Sequence, residues 1–264
     1  MALIELENAG KVATIRINRP EARNAMSRDM WPKLLDILTQ LQNDESVGCV
    51  VLTGADPAFC AGGDVKAMVE RAEGGNQKSV EEETKLLRGY MECARLLHEM
   101  PKPTLAAING ACAGAGFALA LSCDLRIAKR SAKFTTAFAR VAGSGDFGGS
   151  YFLSKMIGTA KARELYYLAD AFTADQAAAM GVVNRAVDDQ DFANNVTDWA
   201  HRLANGPSVA LAYMKENMNL AELGSLSDTL DQEAANMVRA FRTEDHKEAA
   251  NAFVEKRRPE FKGK

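Results

Sequence analysis

The residues from Pro103 to Cys123 carry no charge at all. A run of about 20 apolar residues is long enough to cross a bilayer. The composition of this one argues otherwise. Pro103, Asn109, Gly110, Gly114 and Gly116 interrupt it, and Pro101 stands just before it. Prolines and paired glycines break a helix of that length. The run is therefore expected to be a buried strand, a glycine-rich turn and a buried helix, with no membrane association. Whatever fold the chain adopts must enclose this segment on all sides.

The chain is large enough to do so. It has 264 residues, 47% of them hydrophobic, which suits one large domain or a domain with an appendage. Its 32 basic and 35 acidic residues nearly cancel, so the basic excess of a general nucleic-acid binder is missing. Cys49, Cys60, Cys93, Cys112 and Cys123 are odd in number and irregular in spacing, with no CxxC. Neither a disulfide framework nor a zinc site is indicated. His98, His201 and His246 lie far apart, which disfavours a histidine-rich metal site or a serine–histidine hydrolase. The N-terminus is acidic and has no apolar segment of secretory type. The expectation is a soluble, reduced, cytoplasmic protein.

Periodicity then divides the chain. Residues 3–7 and 12–18 alternate apolar and polar as two strands joined through Asn8–Gly10. Trp31, Leu34, Leu35, Leu38 and Leu41 recur at helical spacing, with Asp29 or Ser27 as the N-cap. Cys49–Leu52 reads as a strand covered on both faces, and ADPAFCAGGD after it as a loop. The polar stretch ERAEGGNQKSVEEET reads as a mobile surface loop between helices. Strands follow at 105–108 and 125–128, and a helix from Gly148 to about Met156. Strand-then-helix units imply an α/β fold. From about residue 190 strands cease, and helices are expected at 190–205, 207–222, 226–241 and 244–256. The division is thus a core over 1–190 and a helical region over 191–264, whose apolar faces need a partner.

Three glycine-rich segments precede helices: Ala61-Gly62-Gly63-Asp64, Gly114-Ala115-Gly116 and Gly143-Ser-Gly145-Asp146-Phe147-Gly148. Glycine admits positive φ and close backbone approach. Helix N-termini present free N–H groups to an anion or developing oxyanion. Singly, each is a common turn. No dinucleotide fingerprint or Walker motif is present.

In this order, and with further stretches, they mark a resemblance. Asn18-Arg-Pro20, Asn24-Ala-Met26, Ala58-Phe-Cys-Ala-Gly-Gly-Asp64, Ala106-Ala-Ile-Asn-Gly110, Cys123-Asp-Leu-Arg-Ile-Ala128, Met180-Gly-Val-Val183 and Phe253 to Phe261 together resemble the crotonase family, the enoyl-CoA hydratase/isomerase superfamily. The resemblance implies a spiral of ββα units with a C-terminal helical trimerisation region, trimers often pairing into hexamers. It implies an acyl-CoA thioester as substrate, with coenzyme A entering only as part of that substrate and no separate cofactor or metal. By position, the Gly63 and Ala115 N–H groups form an oxyanion hole. Ala61, Gly62, Asp64, Val65, Lys66, Gly114, Phe117, Ala118, Phe138 and Phe147 are the implied substrate contacts.

The departures matter more. Hydratases of the family handle water with two glutamates; Ala118 and Phe138 stand in their places. Between residues 100 and 163 the only acidic residues are Asp124 and Asp146. Asp124 reads as a structural carboxylate. Asp146 matches an aspartate that shuttles protons in dienoyl-CoA and ring-epoxide isomerases and is the nucleophile of a dehalogenase. The dehalogenase's adjacent histidine and tryptophan are Ala139 and Phe138 here. Proton-transfer isomerisation through an enolate, with Asp146 as acid/base, is the leading expectation. Hydration by Asp146 alone, or a silent acyl-CoA-binding subunit, are the alternatives; as a residue, Asp146 could instead cap the helix at 148. Phe117, Phe134, Phe138 and Phe147 would make a dry acyl pocket or plain core, core being favoured for Phe134. The basic tail, Lys256, Arg257, Arg258, Lys262 and Lys264, is either solvated or a contact for coenzyme A phosphates.

Overall fold

The computed structural model describes residues 2–73 and 78–264 of the chain. Its first elements are β1 (Ile4–Ala9), β2 (Val12–Ile17), α1 (Met30–Asn43) and β3 (Cys49–Gly54). Next come β4 (Ala58–Cys60), α2 (Val65–Glu73), α3 (Val80–Tyr90) and α4 (Glu92–Glu99). The charge-free segment becomes β5 (Thr104–Ile108), β6 (Ala111–Ala113) and α5 (Gly114–Ser122), followed by β7 (Leu125–Lys129) and β8 (Lys133–Thr135). After them run α6 (Gly149–Ile157), α7 (Thr159–Leu168), β9 (Phe172–Thr173), α8 (Ala174–Ala179) and β10 (Arg185–Val187). Four helices close the chain: α9 (Phe192–Ala204), α10 (Ser208–Ala221), α11 (Leu226–Phe241) and α12 (Glu244–Glu255).

The strands form two sheets. The larger has the order β1-β2-β3-β5-β7-β10 and the smaller β4-β6-β8-β9. Consecutive strands β3/β4, β5/β6 and β7/β8 each place one member in either sheet. Within a sheet these successive members pair in parallel. The chain therefore winds as a spiral, each turn adding two strands and then helix, as the ββα reading expected. β3 and β5 are buried along their whole length, which is why they read as unbroken apolar runs rather than alternating ones.

α5 is the axis of the core, with all nine of its residues buried. No helix is long and apolar enough to cross a membrane among the described residues. Gly116 lets α5 press onto β4: a Cβ there would lie 2.5 Å from the Cys60 Cβ. On the far side of the large sheet, Phe192, Ala200 and Ala204 of α9 pack against Val51, Leu105 and Ile127. The other C-terminal helices leave Met214, Met218, Leu226, Phe241 and Phe253 exposed, and the α10–α11 link leaves Leu223 exposed.

Several expectations are corrected. The loop after β3 contains β4, and the glycine-rich turn contains β6. The polar stretch expected as a loop is helical over residues 70–73 and 80–84. Ser79 starts α3 through a reciprocal capping box with Glu82. Residues 74–77 of that stretch, with Gly74-Gly75, lie outside the described residues. Neither candidate caps α1 through its side chain; Ser27 Oγ donates instead to Asp29 at 2.6 Å.

Candidate active site

Three backbone turns converge on one cavity of about 640 Å³, lined among others by Gly63, Asp64, Ala115, Asp146, Phe147 and Trp31. The first turn is held from behind. The Met26 amide donates to Gly62 O at 2.8 Å and the Asp64 amide to Met26 O at 3.1 Å. Gly63 bridges Met26 in parallel through these flanking groups. Its own N–H consequently points away from Met26. Asn24 fixes the register: its buried amide donates to Ala55 O and Ala58 O at 2.7 and 2.6 Å. That gives the Asn24-Ala-Met26 stretch a structural purpose.

The second turn begins α5. Ala115 is the second residue of that helix, where an N–H has no intrahelical acceptor. Ala113 supplies no side-chain cap. Gly114, at φ +51°, sets the entry, and Gly62, at φ +97°, lies against it: a Cβ on Gly62 would sit 3.0 Å from Ala113 O and 3.5 Å from the Gly114 Cα. The two turns are thus in contact. Cys60 lies between them, accepting from the Gly62 amide at 3.4 Å while packing on Gly116. Burial pushes its thiol up to about 12, so it stays a neutral spacer.

The third turn presents Asp146. Its Oδ1 is buried and has no hydrogen-bond partner among the described residues. Burial alone raises its carboxyl to about 6. The capping role is overturned: α6 starts from Gly148, with no side-chain cap. Tyr166 underlies this turn, its ring 3.0 Å from where a Gly145 Cβ would be and its hydroxyl 2.6 Å from that of Gly149. A side chain at either position would have to displace Tyr166, and Gly145, at φ +109°, also needs glycine for its backbone.

The other carboxylates of the cavity wall are engaged. Asp64 accepts from the Ala67 amide and pairs with Arg19, which together hold its carboxyl below the usual range. Glu83 pairs with Arg28. Asp124 lies away from the cavity wall, as the structural reading expected: it accepts from the Thr104 amide at 2.7 Å and pairs with Lys215 at 2.9 Å.

Of the expected substrate contacts, Asp64 and Phe147 line the cavity beside Gly63, Ala115 and Asp146. Ala61, Gly62 and Gly114 belong to the first two turns but do not line the cavity. Val65 and Lys66 are exposed on the first turn of α2. Phe117 turns into the core, edge-on to Phe134 and Phe172. Ala118 packs toward Gly149, and Phe138 stacks on Tyr166 at 5.8 Å. In the basic tail, Arg257 pairs with Glu248 and Glu255. Trp31 and Tyr90 line the cavity as well. Their helical spacing reads as core, and nothing in that spacing distinguishes a side chain at a cavity wall from one beneath it.

The model of the enoyl-CoA hydratase/isomerase family matches residues 7–264. The chain belongs to that family. Members act on acyl-CoA thioesters. Among similar family members, the 1,2-epoxyphenylacetyl-CoA isomerase of Escherichia coli is 36% identical, over 96% of this chain and 95% of its own. The short-chain-enoyl-CoA hydratase of Clostridium acetobutylicum is 33% identical, over 97% and 95%. The enoyl-CoA hydratase of Bacillus anthracis superposes with a TM-score of 0.91 at 30% identity, with both chains fully covered. Isomerases and hydratases of the family therefore share this scaffold. What distinguishes chemistry within it must come from the side chains at the cavity.

Proposed function

We propose that this protein isomerises an acyl-CoA thioester by proton transfer through an enolate. The observation that carries the reading is Asp146: a carboxyl with a buried, unpartnered oxygen in the cavity that also holds Gly63 and Ala115. The thioester oxygen sits between the Gly63 and Ala115 N–H groups. These donors stabilise the negative charge that forms when a carbon next to the carbonyl, or conjugated to it, loses a proton. Asp146, as carboxylate, takes that proton and becomes the acid. It then returns the proton to a different carbon of the same acyl group. The double bond moves and the formula is unchanged. A base that titrates near 6 is ionised at neutral pH yet stronger than an ordinary aspartate.

Ala118 and Phe138 bring no carboxylate to orient a water, which supports isomerisation over hydration. No cofactor is needed, since coenzyme A arrives on the substrate. Self-association into a trimer or hexamer through the exposed faces of α10 to α12 belongs to the same proposal.

The test is incubation with crotonyl-CoA, a 3-enoyl-CoA and a 3,5-dienoyl-CoA in deuterated water, followed by mass and absorbance. Bond migration with deuterium uptake is expected. Asp146→Asn should abolish uptake while leaving acyl-CoA binding within about tenfold, because general-base catalysis is worth about 10²–10⁴ in rate. Water addition to crotonyl-CoA at an enzymic rate would favour hydration. Uptake undiminished in Asp146→Asn would remove the acid/base role.

A further inference from the structure

Phe147 belongs to two cavities at once. One face of its surroundings is the active cavity; the other is a second cavity of about 390 Å³ between α4, α6 and α10. Met91, Ala94, Tyr151, Phe152 and Leu223 contribute to the walls of this second space. Phe147 is the residue common to both linings. Its ring is 1% exposed and stacks on Trp31 with centroids 4.2 Å apart and planes 21° apart. The backbone carrying it is left-handed, at φ +47°. A bulky side chain is uncommon there and is held by its packing.

The position along the chain gives the ring its meaning. Asp146 immediately precedes it. An acyl group whose carbonyl rests on Gly63 and Ala115 and whose reacting carbon faces Asp146 meets the Phe147–Trp31 stack within its next few carbons. The space beyond that stack is the second cavity; Arg88, Arg95, His98, Glu99 and Asn219 complete its lining, but most of the surface it presents is apolar and suits a hydrocarbon tail.

We propose that Phe147 sets the acyl-chain length this protein accepts. Its ring ends the pocket after a short acyl group, and the open cavity behind it is a subsite, shut off from the active cavity by that ring, for the apolar tail of a longer one. This rests on the substrate orientation proposed above, but not on the chemistry that follows.

Saturated acyl-CoA thioesters separate the two, because they bind without isomerising. Dissociation constants for butanoyl-, hexanoyl-, octanoyl- and decanoyl-CoA would be measured by calorimetry. Burying a methylene is worth about fourfold in affinity. The wild type should gain affinity up to the short members and then stop gaining or lose. Phe147→Ala should continue to gain through decanoyl-CoA, by at least about tenfold relative to wild type. Adding Ala94→Leu, which fills the second cavity from α4, should cancel that gain. Phe147→Leu keeps an apolar side chain and should move the break point by less, which guards against loss of folding in the alanine variant. Steady gain through decanoyl-CoA in the wild type would overturn the proposal even without variants. So would equal loss at every length in Phe147→Ala, or a gain that Ala94→Leu leaves intact. A chain-length break with no deuterium uptake would instead keep this inference and remove the acid/base reading.

Discussion

Arg19 and Asp64 form an ion pair with Nη1 and Oδ2 2.6 Å apart, and the second Asp64 oxygen accepts from the Ala67 amide at 3.1 Å. One carboxylate of the cavity wall is thereby fixed as an anion and committed to starting α2. Asp146 differs: its Oδ1 has no partner among the described residues, and burial raises the carboxyl. The two aspartates are in the same cavity, and their surroundings push them in opposite directions.

Asp64→Asn should therefore leave deuterium uptake within about tenfold of wild type, since general-base losses run to about 10²–10⁴. It should lower stability by less than about 1 kcal/mol, because asparagine still accepts from the Ala67 amide as a cap and only the ion pair with Arg19 is lost. Because the folded carboxyl titrates below its unfolded value, that contribution is complete above the unfolded value near 3.8 and is lost as pH falls further. Thermal melts at neutral and acid pH measure it. Loss of uptake as deep as that of Asp146→Asn would assign Asp64 a share of the proton transfer.

Asp146→Asn should stabilise the protein at pH 7. The folded carboxyl titrates at about 6 and the unfolded one near 3.8, so the native state binds the proton more tightly. Stability is then highest below the unfolded value and falls as pH rises through the folded one. Asparagine removes the buried charge and keeps the size. The gain at neutral pH is at most about 3 kcal/mol, at about 1.4 kcal/mol per unit, and should vanish toward pH 4. In the wild type, deuterium uptake should rise with pH and level off above about 6. A flat profile, or a variant less stable than wild type at pH 7, would place the carboxyl in a wetter setting.

How much of this was legible beforehand follows from element length. α1, α9, α10, α11 and α12 are long enough for helical spacing to repeat, and the expected ends of the last four fall within two residues of the observed ones. β4, β6 and β8 have three residues each. Alternation cannot be recognised in so short a run. The Ser79–Glu82 spacing did carry a signal for the start of α3, obscured by the surrounding charge. Asp146 stood out because acidic residues are scarce around it. Phe117 and Trp31 show the limit: both are apolar and buried, and periodicity does not separate the one in the core from the one at the cavity.

The assembly proposal has its own test. Met214, Met218 and Phe253 are 53%, 69% and 85% exposed on the C-terminal helices. Scattered apolar side chains are normal on a surface, but contiguous patches mark contact sites. Light scattering at micromolar concentration should report a trimer or hexamer. Phe253→Glu should reduce the mass or raise the concentration needed to reach it. A monomeric wild type would remove the proposal.

The sharpest test of the oxyanion hole is Ala115→Pro. Proline lacks the N–H but is tolerated in the first turn of a helix, where that N–H has no intrahelical use. Gly114, the residue before it, is free of the Cβ clash that a proline otherwise imposes. The substitution thus removes a donor where the fold spends none. Losing one such donor costs about 2.7–4 kcal/mol of transition-state stabilisation, roughly a hundredfold or more in rate. Binding of a saturated acyl-CoA, measured alongside, separates this from backbone distortion. With binding kept and turnover lost, Ala115 is a donor to the developing enolate. Turnover at the wild-type rate would mean that the charge is stabilised elsewhere in the cavity.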